Sequence, residues 1–192
     1  MKKPPAVIAR AAAPLTARTF LRGVFRAPGP HSDAVLALPL CRLLLLAAAC
    51  LLVPSLARML IYQIGPQYTY PVNLGHLLLF AALLAGGGRW CGTGVPYSLA
   101  VRIVAASTPC VIIGSIPGLH WPAMGWQLWL IVQRLHHYCA APWRRAAYLA
   151  VLALLAATTV ATAVLCVALP EIPRELRGPF YPLIESVRTF FR

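Results

Sequence analysis

The sequence predicts an all-α polytopic membrane protein, a bundle of about five transmembrane helices with an amphipathic surface helix at each end. Hydrophobic residues make up 60% of the chain and charged residues only 11%, whereas globular proteins are about half apolar and about a quarter charged. The apolar residues form long blocks that short clusters of arginine, proline and glycine separate. We therefore divide the chain into a basic arm (1–33), a transmembrane domain (34–170) and an amphipathic tail (171–192).

The basic arm is predicted to form a helix on a membrane surface that carries anionic headgroups. Arg18, Arg22 and Arg26 are spaced four residues apart and so share one helical face. A net charge of +13 can also indicate a nucleic-acid partner. The basic residues, however, lie in the arm and between apolar blocks, and they form no stripe interleaved with aromatic residues. We expect lipid headgroups as their partner and no nucleic acid.

The first two predicted spans are 34–62 and 72–88. The charge-free part of the first span, 43–57, covers roughly 22 Å, less than the ~30 Å of a hydrocarbon core. Arg42 and Arg58 at its ends are therefore expected to snorkel towards the headgroups. The alternative is a longer helix in which Arg42 faces protein. The second span ends in three consecutive glycines, which are predicted to begin a flexible connection.

The third and fourth predicted spans contain more polar residues. The third, 97–116, carries Arg102 in its second turn and stops at the turn signal Pro117-Gly118. The fourth, 121–138, ends in a polar cluster that includes Arg134 and two adjacent histidines. Its three tryptophans are typical of a helix near a membrane interface.

The fifth predicted span, 146–170, has 25 residues and no charge, which is long enough to cross a membrane with some tilt. Ala153, Ala157 and Ala161 recur every four residues along it. This spacing indicates a ridge of small side chains on which another helix can pack closely. Alanine is also abundant throughout the chain, so composition alone is a second explanation.

The distribution of basic residues predicts a cytoplasmic N-terminus. Five spans would leave ten basic residues of the arm and the even-numbered connections inside and only Arg58 in the outer loops, as the positive-inside rule requires. Fifteen arginines against two lysines, with much alanine, indicate a GC-rich bacterial source and hence the cytoplasmic (inner) membrane. The four arginines of the tail would then lie outside, which leaves the side of the tail open.

The tail itself has an amphipathic helical pattern. Phe180, Phe190 and Phe191 fall on one helical face, and charged residues lie between the apolar positions. Such a helix can lie flat on a membrane leaflet. It can also dock on a partner protein, and both interpretations are open.

His136, His137 and Cys139 form the one cluster with side chains that can bind a metal. Adjacent histidines point about 100° apart on a helix, and no second acidic or cysteine cluster is near them in sequence. Interfacial polar residues at a helix end are the simpler interpretation. The six cysteines are far apart and are typical of small hydrophobic residues. We expect neither a metal nor a cofactor.

His76, Arg102 and Arg134 are candidates for polar sites inside the membrane. Ionisable groups at membrane depth are costly, and they often mark a transport path or a buried pair. His76 and Arg102 also lie within two turns of a predicted helix end, where snorkelling or a helix-cap contact is the simpler explanation.

No catalytic site is predicted. General acid–base catalysis needs positioned carboxylates, and all four acidic residues fall outside the predicted spans. The sequence contains neither the Gly-x-Ser-x-Gly pattern of hydrolases nor a phosphate-binding loop. The sequence therefore predicts a protein that is not an enzyme.

Residues 116–155 carry a family resemblance. They contain, in order, a Pro-Gly turn, a tryptophan-bearing helix, a basic helix end and a second basic pair that opens a long apolar helix: Pro117-Gly118, Trp126-Gln127-Leu128-Trp129, Arg134-Leu135-His136 and Arg144-Arg145-Ala146-Ala147. With Phe25-Arg26-Ala27-Pro28 upstream, this pattern resembles the bacterial branch of the Yip (Ypt/Rab-interacting protein) membrane family, although Gln133 stands where that family is expected to have glycine. The resemblance implies a five-helix bundle and a role in assembling or organising membrane proteins.

Three functions are compatible with these observations. The leading hypothesis is a non-enzymatic membrane protein that scaffolds, assembles or regulates another membrane protein, or associates with itself. The second is a small transporter or channel subunit with Arg102, His76 and Arg134 lining a path. The third is a subunit that carries metal or haem on His136, His137 or His76.

Overall fold

A computed structural model of the chain describes residues 16–26, 28–62, 66–90, 92, 94–116, 118–168 and 189. Within these residues the protein is all-α and has no strand. The eight helices of the described part are α1 (Ala17–Phe25), α2 (Pro30–Leu36), α3 (Leu40–Tyr62), α4 (Pro66–Trp90), α5 (Tyr97–Ser107), α6 (Cys110–Gly114), α7 (His120–Cys139) and α8 (Trp143–Ala168).

Three of these helices are long and apolar enough to cross a membrane, fewer than the five predicted spans. The qualifying stretches are Leu40–Ala57 in α3, Pro66–Arg89 in α4 and Trp143–Leu165 in α8. A polytopic helical protein is therefore supported, while the count of five spans is not. The two predicted spans that fail do so for different physical reasons.

The predicted span 97–116 is broken into α5 and α6. Pro109 has no N–H group, so the carbonyl of Ala105 cannot accept the hydrogen bond that a continuing α-helix would supply. The amide of Thr108 donates to Ala105 O instead (3.2 Å), in a tighter turn that ends α5. The 11 residues of α5 extend only roughly 16 Å.

The predicted span 121–138 is a continuous helix, α7, but it is too polar to qualify. Its 20 residues are about 30 Å long, which matches a hydrocarbon core. The glutamine, arginine and histidine side chains of the helix lower its mean hydropathy, and they are concentrated towards its C-terminal end. The length of α7 therefore fits a membrane span, whereas its polarity does not.

The segment before α3 forms an N-terminal hairpin, α1 and α2, rather than an early part of the first span. Pro39 precedes α3, whose first residue is Leu40, six residues after the predicted start at residue 34. Gly23 is required where α1 crosses α2, because a Cβ there would clash with the carbonyl oxygen of His31. Buried residues of both helices, including Val24 and Val35, join the main hydrophobic core.

Helices α4 and α8 pack against each other in opposite directions. The C-terminal part of α4 meets the start of α8, where a Cβ on Gly87 would lie 2.5 Å from Leu149 Cδ1. At the other end, Tyr68 and Val72 of α4 pack on Leu165. The three glycines 86–88 are helical, in contrast to the predicted flexible connection, and Gly87 permits this close packing.

The predicted alanine ridge of α8 is used inside the bundle. Ala153 and Ala157 are buried in the core, and Ala161 is half-buried. The small side chains let α8 approach its neighbours closely. This ridge is therefore not a free surface for a partner.

The bundle has two distinct ends. The "hairpin end" contains α1, α2, the end of α4, the start of α8 and residues 94–96 and 140–142, and the "cleft end" contains the end of α3, the start of α4, residues 115–116 and 118–119 and the C-terminal half of α8. Nine of the ten arginines in the described residues belong to the hairpin end by their position along the helices, and Arg58 alone belongs to the cleft end: Arg18, Arg22, Arg26, Arg42, Arg89, Arg102, Arg134, Arg144 and Arg145.

Candidate functional site: a polar cleft between the helices

A cleft of about 190 Å³ lies among α3, α4, α7, α8 and the α5–α6 break. It occupies the cleft end, because its lining residues come from the second half of α3, the first half of α4 and α7, and the second half of α8. Apolar side chains such as Leu77, Phe80 and Met124 form most of the wall. The polar residues that line it are Asn73, His76, Thr108, His120, Gln127, Thr158 and Thr162.

Several of these polar groups are already hydrogen-bonded. Asn73 Nδ2 donates to Ser55 Oγ (3.1 Å), and Ser55 Oγ donates to the carbonyl of Leu51 (2.9 Å) one turn earlier in α3. Thr158 Oγ1 and His76 Nε2 share a hydrogen bond of 3.3 Å between α8 and α4. These bonds fix the orientation of one wall of the cleft.

The opposite wall is made by the first half of α7, most of which is not buried. Ala123 is the one buried residue in the first half of this helix, whereas six residues between Leu130 and Tyr138 are buried. Trp121 is 77% exposed and Trp126 47% exposed, on the part of α7 that lines the cleft. In the second half of α8, Thr158 and Thr162 are exposed and line the cleft as well. The exposed residues of the lining, His120, Thr158 and Thr162, all belong to α7 or α8, and we infer from this that the cleft opens sideways between these two helices.

Arg134 does not line the cleft and takes part in the packing of the hairpin end. Its side chain is fully buried, and Nη2 donates to the carbonyls of Gly23 (2.9 Å) and Val24 (3.0 Å) in the last turn of α1. Nη1 donates to Ser107 Oγ (2.5 Å) at the end of α5. A cation at a helix C-terminus is favoured by the helix dipole and by carbonyls without helical partners. Arg134 therefore fastens α1 to α5 and α7.

Arg102 performs the same task for α2. Its Nη1 donates to the carbonyls of Leu36 (2.7 Å) and Leu38 (2.5 Å), where α2 ends. Tyr138, one helical turn after Arg134, donates from its hydroxyl to Asp33 Oδ1 (2.5 Å) in the first turn of α2. Both ends of α2 are thus held by side chains of α5 and α7.

Of the three residues predicted to line a path, only His76 lines the cleft. Arg102 and Arg134 are instead anchors of the N-terminal hairpin, 66 and 111 residues away in sequence from the first carbonyls that they bind. Sequence reasoning missed Asp33, Ser107 and Tyr138. Arg134 and Tyr138 are four residues apart and therefore share one helical face. This spacing is the sequence signal that points to Tyr138.

The predicted metal candidates lie at the C-terminal end of α7. His136 Nδ1 is 2.6 Å from the carbonyl oxygen of Ala141, just after Ala140, which ends α7 in a left-handed conformation. His137 is exposed and packs edge-on against Tyr138, and Cys139 is half-buried. Among the described residues no group of three or more His, Cys, Asp or Glu side chains could hold a metal ion.

The predicted membrane-surface residues are only partly within the described chain. Arg18 and Arg26 are exposed and Arg22 is half-buried on α1. Phe20 and Phe25 of the same helix pack against the core. The tail residues Phe180, Phe190 and Phe191 lie outside the described residues, as does the predicted tail helix.

The outward face of α4 differs from those of the other two long helices. Its exposed positions include Gly75, Ala82 and Gly86, and the two glycines have open space where a Cβ would lie. Leu78 is the one large hydrophobic residue exposed on the described part of α4. By contrast, α3 and α8 each expose several bulky side chains, among them Leu45, Leu52, Leu56, Leu60, Leu152, Leu155 and Val164.

Comparison with known proteins gives no relative of this chain: no family model, no curated protein and no solved structure matches it.

Proposed function

We propose that this chain is a non-enzymatic integral membrane protein that assembles with another membrane protein, which it scaffolds or regulates. The outward face of α4, with Gly75, Ala82 and Gly86, is the observation that carries this proposal. A face of small residues forms a shallow groove that admits another helix at close range, where van der Waals contact replaces the hydrophobic effect as the driving force. The role that the Yip resemblance implies is the same.

The distribution of arginine supports an orientation in a bacterial cytoplasmic membrane. Nine of the ten arginines in the described residues belong to the hairpin end, and positive charge is concentrated on the cytoplasmic side of membrane proteins. In the proposed orientation the N-terminal hairpin is therefore cytoplasmic, and exposed Arg18 and Arg26 can contact anionic headgroups.

The proposal is tested by placing a bulky side chain on the α4 face. Gly86→Leu is expected to weaken association of the tagged protein with its membrane partner, or with a second copy, by about tenfold, because leucine prevents close helix approach. Association is measured by cross-linking in native membranes and by quantitative recovery of the complex in mild detergent. Ala49→Leu, on an exposed position of α3, is the matched control and should leave the complex intact.

Two outcomes contradict the proposal. One is a protein that is monomeric and without a partner both in membranes and in detergent. The other is a complex that Gly86→Leu and Ala49→Leu weaken to the same extent, since that result would show no special role for α4.

A further inference from the structure

The cleft contains hydrogen-bonding capacity that the described residues do not satisfy. Gln127 is half-buried and lines the cleft, and its side chain forms no hydrogen bond with any residue that the structure describes. Asn73 donates to Ser55, which leaves its carbonyl oxygen as an acceptor. A polar side chain that faces lipid instead of water lacks hydrogen-bond partners, which is costly, so a ligand that supplies both a donor and an acceptor would be stabilised here.

The lining also restricts the charge of such a ligand. The described residues around the cleft include no lysine, arginine, aspartate or glutamate, so neither an anion nor a cation would meet an opposite full charge. Hydroxyl, amide and imidazole groups provide the polar contacts. An uncharged group with several hydroxyls fits this chemistry, because each hydroxyl can donate and accept at once.

The size and the opening of the cleft indicate which part of a ligand can enter it. A volume of about 190 Å³ is below the roughly 300–1,000 Å³ of sites that enclose a drug-sized molecule. The opening lies between α7 and α8, beside exposed apolar residues such as Trp126 and Leu155. A ligand that enters from this side has to keep an apolar part in the surrounding lipid and insert only a small headgroup.

We propose that the cleft binds the uncharged, hydroxyl-bearing headgroup of a membrane amphiphile, of the glycerol type, which enters laterally between α7 and α8. Gln127 and Asn73 bind the hydroxyls, and the acyl chain remains along the outer surface of α7 and α8. This site is separate from the α4 face, so it can exist whether or not the protein assembles through that face.

The test is equilibrium binding of tritiated monoolein to the purified full-length protein in phosphatidylcholine nanodiscs. Saturable binding with one site per chain is expected. Gln127→Leu should weaken it by about fivefold to tenfold, the equivalent of one lost hydrogen bond. Ala161→Phe should abolish binding by filling the cleft, since Ala161 is part of its wall.

Two matched variants control for general damage to the helices. Gln133→Leu changes a half-buried glutamine of α7 that does not line the cleft, and Ala163→Phe changes an exposed alanine of α8 that also does not line it. Both should bind monoolein as the unchanged protein does.

Competition identifies the source of the headgroup. Free glycerol should compete only weakly, and competition as strong as that of unlabelled monoolein would overturn lateral entry of an amphiphile. Lysophosphatidic acid should compete less well than monoolein, and stronger competition would overturn selection for an uncharged group. Non-saturable binding, or equal binding by all four variants, would overturn the site itself.

Discussion

The two ends of this bundle use polar side chains in opposite ways. At the hairpin end, Arg102, Arg134 and Tyr138 are directed at carbonyl or carboxylate groups of α1 and α2, and the helices are packed closely enough to require Gly23. At the cleft end, the first half of α7 is mostly unburied, and Gln127 has no partner among the described residues. A polar group that is satisfied within the protein stabilises the fold, whereas one left facing a cleft is available to a ligand.

The comparison also concerns the free-energy cost of burying a charged side chain. Arg134 is charged at any physiological pH, and three hydrogen bonds and the C-terminal dipole of α1 compensate for its burial. Its Nε is nonetheless one of two buried side-chain polar atoms without a hydrogen-bond partner in the described part of the chain. The free-energy cost of burial at the hairpin end is therefore high, and small changes to these contacts should lower the stability of the protein strongly.

The largest effect is expected from Arg134→Met. This substitution keeps an unbranched side chain but removes the guanidinium group, so the carbonyls of Gly23 and Val24 lose their donor, and buried unsatisfied groups are costly. We expect a loss of about 3 kcal/mol in stability, or a fall in Tm of roughly 6 to 12 °C, in mild detergent. Arg144→Met, at an exposed position of α8, is the control. Equal Tm values for the two variants would show that the buried hydrogen bonds of Arg134 do not stabilise the hairpin end.

A smaller effect is expected from Gly23→Ala. The added methyl group would meet the backbone of His31 and the side chain of Val35, so α1 must move away from α2 at a cost of about 2 kcal/mol. Trypsin should then cleave after Arg22 and Arg26 faster than in the unchanged protein.

Gly29→Ala is the control for this loosening of the hairpin. The position has open space for a Cβ and an extended backbone with φ of 170°, so cleavage should be unaffected. Equal cleavage rates for Gly23→Ala and the unchanged protein would show that the contact between α1 and α2 is not tight.

The smallest effect is expected at the cleft end. Gln127→Leu removes a polar side chain that contributes no hydrogen bond within the described residues, so stability should change by no more than about 0.5 kcal/mol. The measurement is again thermal unfolding in mild detergent. A loss above about 1 kcal/mol would show that Gln127 supports the fold and that the two ends do not differ in this respect.

The long apolar helices were predictable because their signal is local. The absence of charge in 146–170 and the apolar blocks before it are properties of consecutive residues, and α3, α4 and α8 follow from them. The same local signal also predicts the third and fourth spans, which are not among the helices that qualify by length and composition. Apolar residues continue on both sides of Pro109, where the helix breaks, and they therefore predict a single span. The length and the tryptophans of α7 favour a span, although the helix also carries polar side chains.

The candidate site was much less predictable. His76 was singled out from its depth in an apolar block, and it does line the cleft. Gln127 stands in the sequence only as one residue of a family-like pattern, because its importance depends on how α7 packs with the other helices around the cleft. The cleft is a space between five segments of the chain, and no single segment contains a signal for it.

The sequence by itself determined that this is a helical protein with stretches apolar enough to cross a membrane, because hydropathy and helix length are summed over neighbouring residues. Only the tertiary structure decided what each polar residue does. Arg134 and the two α1 carbonyls that it binds are 110 and 111 residues apart in sequence, and they meet because α1, α5 and α7 pack side by side. A charged residue in an apolar helix must find a partner, but the choice of partner is made by the packing of the helices.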